Sequence, residues 1–220
     1  MDGQHRVYGF SLATTKLRVP VIIYEGLSRE EEVTIFIDLN TKQKPVPNEL
    51  LLDIKKLANA ESDQEKYLND LFDLFETSKE SCLREITSAS KKVPGKISRV
   101  TFKSSFSAIY PKINHLELSK VFSVLNAYLT AFDEQLLSLG VQNGLSNSTI
   151  LGSCLMLFPE VFQKTKDRYT DDLSSKSFSA ILEPIFSSIT SASFKKPGNS
   201  KREFYQKMTS ALKNNVEIDF

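Results

Sequence analysis

Val19-Pro20-Val21-Ile22-Ile23-Tyr24 is a short, nearly continuous apolar run, bounded by Lys16-Leu17-Arg18 on one side and Glu25-Gly26 on the other. Such a run reads as a buried strand of a parallel sheet, because a strand covered on both faces has no polar alternation. Pro20 cannot donate to a ladder, so it belongs at the start of the strand or on an unpaired side. With this strand the chain reads as α+β and predominantly helical.

Upstream of the run, Asp2-Gly3 is a turn dipeptide, and Val7, Phe10 and Ala13 recur at helical spacing, predicting a helix over Gln4 to Ala13. Gly3 has no Cβ to hold a ligand off the backbone. Gln4, His5 and Arg6 fall in the first turn, where N–H groups are unpaired and the helix dipole is positive. That is an anion site, and the guanidinium of Arg6 suits phosphate oxygens. Asp2 would repel the same phosphate unless Mg²⁺ bridged them; otherwise it caps the helix or orients Arg6.

Downstream, Ser28-Arg29-Glu30-Glu31 spells a capping box that starts a helix carrying Val33, Phe36 and Ile37 on one face and ending near Asn40. Pro45 and Pro47 interrupt the chain before a further helix, Asn48 to Ala60. Helix, strand and helix make a βαβα unit without its first strand. One strand cannot form a sheet, since its N–H and C=O groups would stay unpaired. The expectation is a chain that is the C-terminal part of a longer protein, or a sheet completed by an upstream fragment, a partner or a second copy.

The string Asp2-Gly3-Gln4-His5-Arg6 followed by an apolar helix resembles the name-giving motif of the DGQHR-domain proteins, which include the DndB-type proteins associated with DNA phosphorothioate modification. It is similar to the DGQQR box of ParB-like proteins in modification-dependent restriction systems. More distantly it looks like the Gly-x-x-Arg phosphate box of ParB and sulfiredoxin. Ile35-Phe36-Ile37-Asp38-Leu39-Asn40, with Pro45 to Leu50 after it, resembles the segment that follows the box in these relatives. One departure is Lys42-Gln43, where the DGQQR relatives usually carry Gly. The resemblance covers about the first quarter of the chain. It implies a partial ParB-like core over residues 1–60, a nucleotide with Mg²⁺ near Asp2, and a hydrogen bond from Asn40 to sugar or phosphate.

At 220 residues the chain is long enough for a core, and Lys+Arg 28 against Asp+Glu 27 excludes a globally basic nucleic-acid binder while allowing a local patch. Cys82 and Cys154 lie far apart, and His5 and His115 are the only histidines, so neither a zinc site nor a redox motif is expected. No Ser–His–Asp arrangement or Walker A loop is present. No run approaches membrane-spanning length, and no signal peptide is read, which suggests a reducing, cytoplasmic setting.

Residues 61–220 read as a helical domain. Tyr67, Leu68, Leu71, Phe72, Leu74 and Phe75 form an apolar face in a segment expected to run to about Ser88. A short helix is expected to end at Pro111, and His115 reads as a capping or surface residue. Leu116 to Leu139 is a long amphipathic helix with Val121, Leu125, Leu129, Phe132 and Leu136 near one face. Gly140 to Ser148 reads as a loop and Thr149 to Tyr169 as a helix kinked or restarted at Pro159. Asp171-Asp172 reads as a turn, Ser174 to Thr190 as a helix interrupted by Pro184, and Glu203 to Asn214 as the last helix.

Two basic stretches without acidic residues, Ser90 to Lys103 and Phe194 to Arg202, read as loops. Their candidates for touching DNA phosphates are Lys91, Lys92, Lys96, Arg99, Lys103, Lys195, Lys196, Lys201 and Arg202, against the plain alternative of solvated loops. Three functions follow in order. The first is a nucleotide-binding module, with NTP hydrolysis as its candidate activity, serving a DNA modification or restriction system with other subunits. The second is a non-catalytic DNA-binding regulator of the DndB type, and the third a helical interaction module.

Overall fold

The computed structural model describes residues 4–14, 18, 20–43, 48–57, 61–89 and 93–214. The chain divides into two compact units, Met1–Glu61 and Ser62–Phe220.

In the first unit the described elements are the helices α1 (Gln4–Ser11), α2 (Arg29–Gln43) and α3 (Asn48–Leu57). The capping box at the start of α2 forms as its sequence predicts. Ser28 N–H donates to Glu31 Oε2 at 2.8 Å, and Glu31 N–H donates to Ser28 Oγ at 3.3 Å. The apolar run corrects the expectation of a strand: Pro20 to Glu25 have no regular structure and no ladder partner among the described residues. Val21, Ile22, Ile23 and Tyr24 stand 71%, 78%, 77% and 53% exposed. An apolar pattern supplies side chains for a sheet but not the second backbone that a ladder requires. On α1, Val7, Tyr8 and Phe10 are likewise exposed, as is Leu12 just beyond its end. No described residue of this unit is fully buried.

The second unit is mostly helical with one small parallel pair of strands. Its elements are α4 (Asp63–Thr77), β1 (Thr87–Ser88), β2 (Ile97–Ser98), α5 (Arg99–Phe106), α6 (Tyr110–Ile113), α7 (Leu118–Ser138), α8 (Ser148–Tyr169), α9 (Ser175–Ser188), α10 (Ser191–Lys195) and α11 (Lys201–Asn214). Thr87 pairs with Ile97 and Ser88 with Ser98.

Local chemistry sets the helix starts. Ser62 and Glu65 form a capping box at α4. Ser98, Asn147 and Ser174 cap α5, α8 and α9 by accepting from backbone N–H groups inside them. α4 ends at Thr77 rather than near Ser88, because its apolar spacing stops at Phe75 and Ser78 turns to extended backbone. Pro111 sits in the first turn of α6 instead of ending a helix, a position where its missing N–H costs nothing. Pro159 and Pro184 lie inside α8 and α9, which continue through them. Asp172 holds the turn before α9 by accepting from Ser174 N–H and from Ser177 Oγ–H at 2.6 Å.

All the buried apolar side chains of the described residues lie between Leu68 and Leu212. Phe72 and Phe75 of α4 meet Phe102 of α5, and Phe75 also meets Phe122 of α7. On the other side of α7, Phe132 meets Phe186 of α9 and Phe194 of α10, which in turn meets Phe204 of α11. Tyr128 is buried among Phe132, Phe158 and Phe178, and its hydroxyl donates to the Cys154 carbonyl at 2.8 Å. That bond satisfies the one polar atom the ring carries inward.

Candidate functional site

The box predicted to hold phosphate stands at the start of α1, with the backbone of Gln4, His5 and Arg6 forming its first turn. Asp2 and Gly3 lie outside the described residues, as do the side chains of Gln4, His5, Arg6 and Asn40. Asn40 itself falls in the last turn of α2, three residues beyond Ile37 and before Pro45.

The fold takes up some of the basic candidates and leaves others exposed. Lys91 and Lys92 lie outside the described residues, and Lys96 is exposed in the turn before β2. Arg99 and Lys103 correct the reading of a basic loop, because both stand on α5. The Arg99 guanidinium lies over the Phe72 ring, 4.7 Å from its centroid, and pairs with Asp73 Oδ1 at 3.0 Å. Its side chain is only 11% exposed, and neither Nε nor Nη1 has a hydrogen-bond acceptor among the described residues. This is a cation holding α5 to α4, turned away from any external phosphate. Lys103 brings its ammonium to a position shielded from solvent.

In the second stretch, Lys195 ends α10, Lys201 and Arg202 open α11, and only residues 196–200 form a loop. Lys195, Lys196 and Arg202 are exposed. Lys201 is not: its stem lies on Gly152 of α8, where a Cβ would collide with Lys201 Cδ, and its ammonium donates to Ser104 Oγ at 3.2 Å. Burial lowers its pKa. The Lys201 carbonyl accepts from Ser153 Oγ, so this residue ties α11 to α8 through backbone and side chain together. His115 is exposed in the turn before α7.

A polar cleft of about 470 Å³ lies on α7, lined by Ser119, Ser123, Asn126 and Thr130 with Glu80 and Ser175. Sequence reasoning passed over it, although a signal was available. Ser119, Ser123, Asn126, Thr130 and Asp133 recur at steps of four and three, a polar stripe beside the apolar one. Asn126 works structurally there. Its Oδ1 accepts from Cys82 N–H at 3.0 Å and its Nδ2 donates to the Glu80 carbonyl at 2.9 Å, clipping the chain after α4 onto α7.

Cys82 lies half-buried beside Thr130, and burial pushes its thiol up to about 12. At neutral pH it holds too little thiolate to act as a nucleophile. Cys154 is fully buried and its pKa is raised further by the same cause. Burial also raises the pKa of Asp133, with Glu134 adding repulsion. Among the described residues no three His, Cys, Asp or Glu side chains gather to hold a metal ion, and no helix is long and apolar enough to cross a membrane.

Set against protein-family models, curated proteins and solved structures, the chain matches none of them.

Proposed function

We propose that residues 1–60 are part of a ParB-like DGQHR core that binds a nucleoside triphosphate with Mg²⁺ and serves a DNA modification or restriction system. The observation that carries this reading is the string Asp2 to Arg6 running directly into α1. Gln4, His5 and Arg6 thereby offer unpaired backbone N–H groups where an anion is favoured. Arg6 supplies the charge on the phosphates, Gly3 the close approach, and Asp2 the oxygen ligand to Mg²⁺. Asn40 supplies a hydrogen bond from the end of α2. Hydrolysis would need a water-activating group that this reading does not assign.

The core that melts lies in residues 62–220, so a ligand on α1 need not move the melting temperature. Isothermal titration with ATP, GTP and CTP in Mg²⁺ is the direct test. Saturable heat is expected for one nucleotide and none for Arg6→Ala. No heat from any of the three with the wild-type chain would sink the reading.

A second reading, a DNA-binding regulator of the DndB type, is favoured by the exposure of Lys96, Lys195, Lys196 and Arg202. It no longer draws on Arg99, Lys103 or Lys201, which the fold engages. Its signature is an affinity for duplex DNA that falls with salt, the logarithmic slope shrinking by about 0.9 for each phosphate contact removed.

A further inference from the structure

The exposed run Pro20 to Tyr24 carries two needs at once. Its four apolar side chains stand in solvent, and its backbone has no ladder partner among the described residues. Burying the side chains against a groove or a lipid would strand the backbone N–H and C=O groups, at a cost of roughly 1–3 kcal/mol for each unpaired group. Another extended backbone satisfies those N–H and C=O groups and at the same time sets apolar side chains beside apolar side chains across the pair.

We propose that this segment pairs antiparallel with the same segment of a second copy of the chain, about a two-fold axis at Ile22. The charges favour this arrangement over a parallel one. The run is basic at its start, with Arg18, and acidic at its end, with Glu25, both exposed. Antiparallel pairing brings the basic end of each copy beside the acidic end of the other, whereas parallel pairing sets like charges together.

Pro20 fits the same register. Centred on Ile22, Val21 and Ile23 exchange the N–H···O=C bonds, while Pro20 faces Tyr24 at a position where no N–H is required. Successive side chains alternate, so Val21 and Ile23 lie on one face of the ribbon and Ile22 and Tyr24 on the other. Each face sets exposed apolar side chains of the two copies beside one another. This assignment is independent of nucleotide binding.

The test is the mass of the full chain in solution by light scattering at tens of micromolar. The wild type is expected at twice the chain mass. Ile22→Lys should fall to the single-chain mass, because two ammonium groups would meet across the axis, with the helical melt unchanged. Ile22→Cys should cross-link to a covalent dimer under mild oxidation, since residues opposite at such a position approach to about 4.5 Å between Cα atoms. Leu137→Cys, exposed on α7, should not. A wild-type chain at single-chain mass would overturn the proposal and assign the segment to a different polypeptide. A dimer that survives Ile22→Lys, with no cross-link through Ile22→Cys, would overturn it equally.

Discussion

Residues 1–61 and 62–220 are both rich in large apolar side chains, yet among the described residues only those of the second unit are fully buried. In the second unit those residues recur three and four apart, on helices that α4, α5, α7, α8, α9 and α11 close around one another. In the first the most exposed of them are contiguous on a segment with no ladder among the described residues or lie on or just beyond the eight-residue α1, while α2 and α3 only half-bury theirs. Apolar content alone therefore does not make a core. Closure does, and closure needs each element's apolar face to find another element's within reach. The apolar segment of the first unit carries a demand that its own described elements do not meet.

The widest separation between the units should appear on truncation. Phe102 is buried, meets Phe72 and Phe75, and stacks on Phe106 with centroids 3.8 Å apart. Phe102→Ala is expected to lower unfolding stability by about 3–5 kcal/mol in urea melts followed by helical circular dichroism. Ile22→Ala, read in the same way at a concentration low enough to keep chains apart, should change it by less than about 0.5 kcal/mol. A comparable loss from both would break the comparison, because it would place Ile22 in the cooperative core.

Within the second unit, Arg99 separates a cation used by the fold from one left to solvent. Arg99→Ala removes the pair with Asp73, the contact over Phe72 and the buried stem together. Since Asp73 keeps 39% of its side chain exposed, it can rehydrate, and the loss is expected at about 1–2 kcal/mol rather than the larger figure for a fully buried pair. Lys96→Ala, on an exposed turn, should leave stability within about 0.5 kcal/mol. The reverse order would mean that the basic stretch acts as one patch after all.

These contrasts also show what the residues told in advance. The capping box at Ser28 and the apolar stripe of α7 were legible, because each rests on contacts three or four residues apart. The strand read over Val19 to Tyr24 is not formed by the described residues there, since a ladder depends on a partner backbone that no local pattern reports. Arg99 and Lys201 read as loop cations because charge composition carries no information about Phe72, Asp73 or Gly152, all distant in sequence. The helix that begins within the Asp2 to Arg6 box was legible from the helical spacing of Val7 and Phe10. The polar stripe through Asn126 was visible in spacing alone and went unread beside the stronger apolar one.

The smallest effect sharpens the same comparison through pH. In the first unit the resolved shift among described groups is at Glu31, lowered by its bonds to Ser28 in the capping box, a purely local cause. In the second unit Asp133 is shifted upward, chiefly by burial and then by Glu134, with the Cys82 and Cys154 thiols in its neighbourhood. Its Oδ1 is shielded from solvent and has no hydrogen-bond partner among the described residues. A carboxyl whose pKa is raised on folding binds its proton more tightly in the folded chain. Its contribution is present in full below the unfolded value and is lost as pH rises through the folded one. Asp133→Asn keeps the shape and cannot ionise. The variant is therefore expected to be the more stable protein at neutral pH, with the gap closing as pH falls below the ordinary carboxylate range. Glu117 and Asp172, whose exposed carboxyls are lowered by hydrogen bonds from Ser119 and Ser177, push stability the other way in acid. Both are present in wild type and variant, so the difference between the two urea titrations isolates Asp133. A gap that stays constant from acid to neutral pH would mean that Asp133 ionises as freely as a surface carboxylate, and that burial in this unit does not reach the polar stripe of α7.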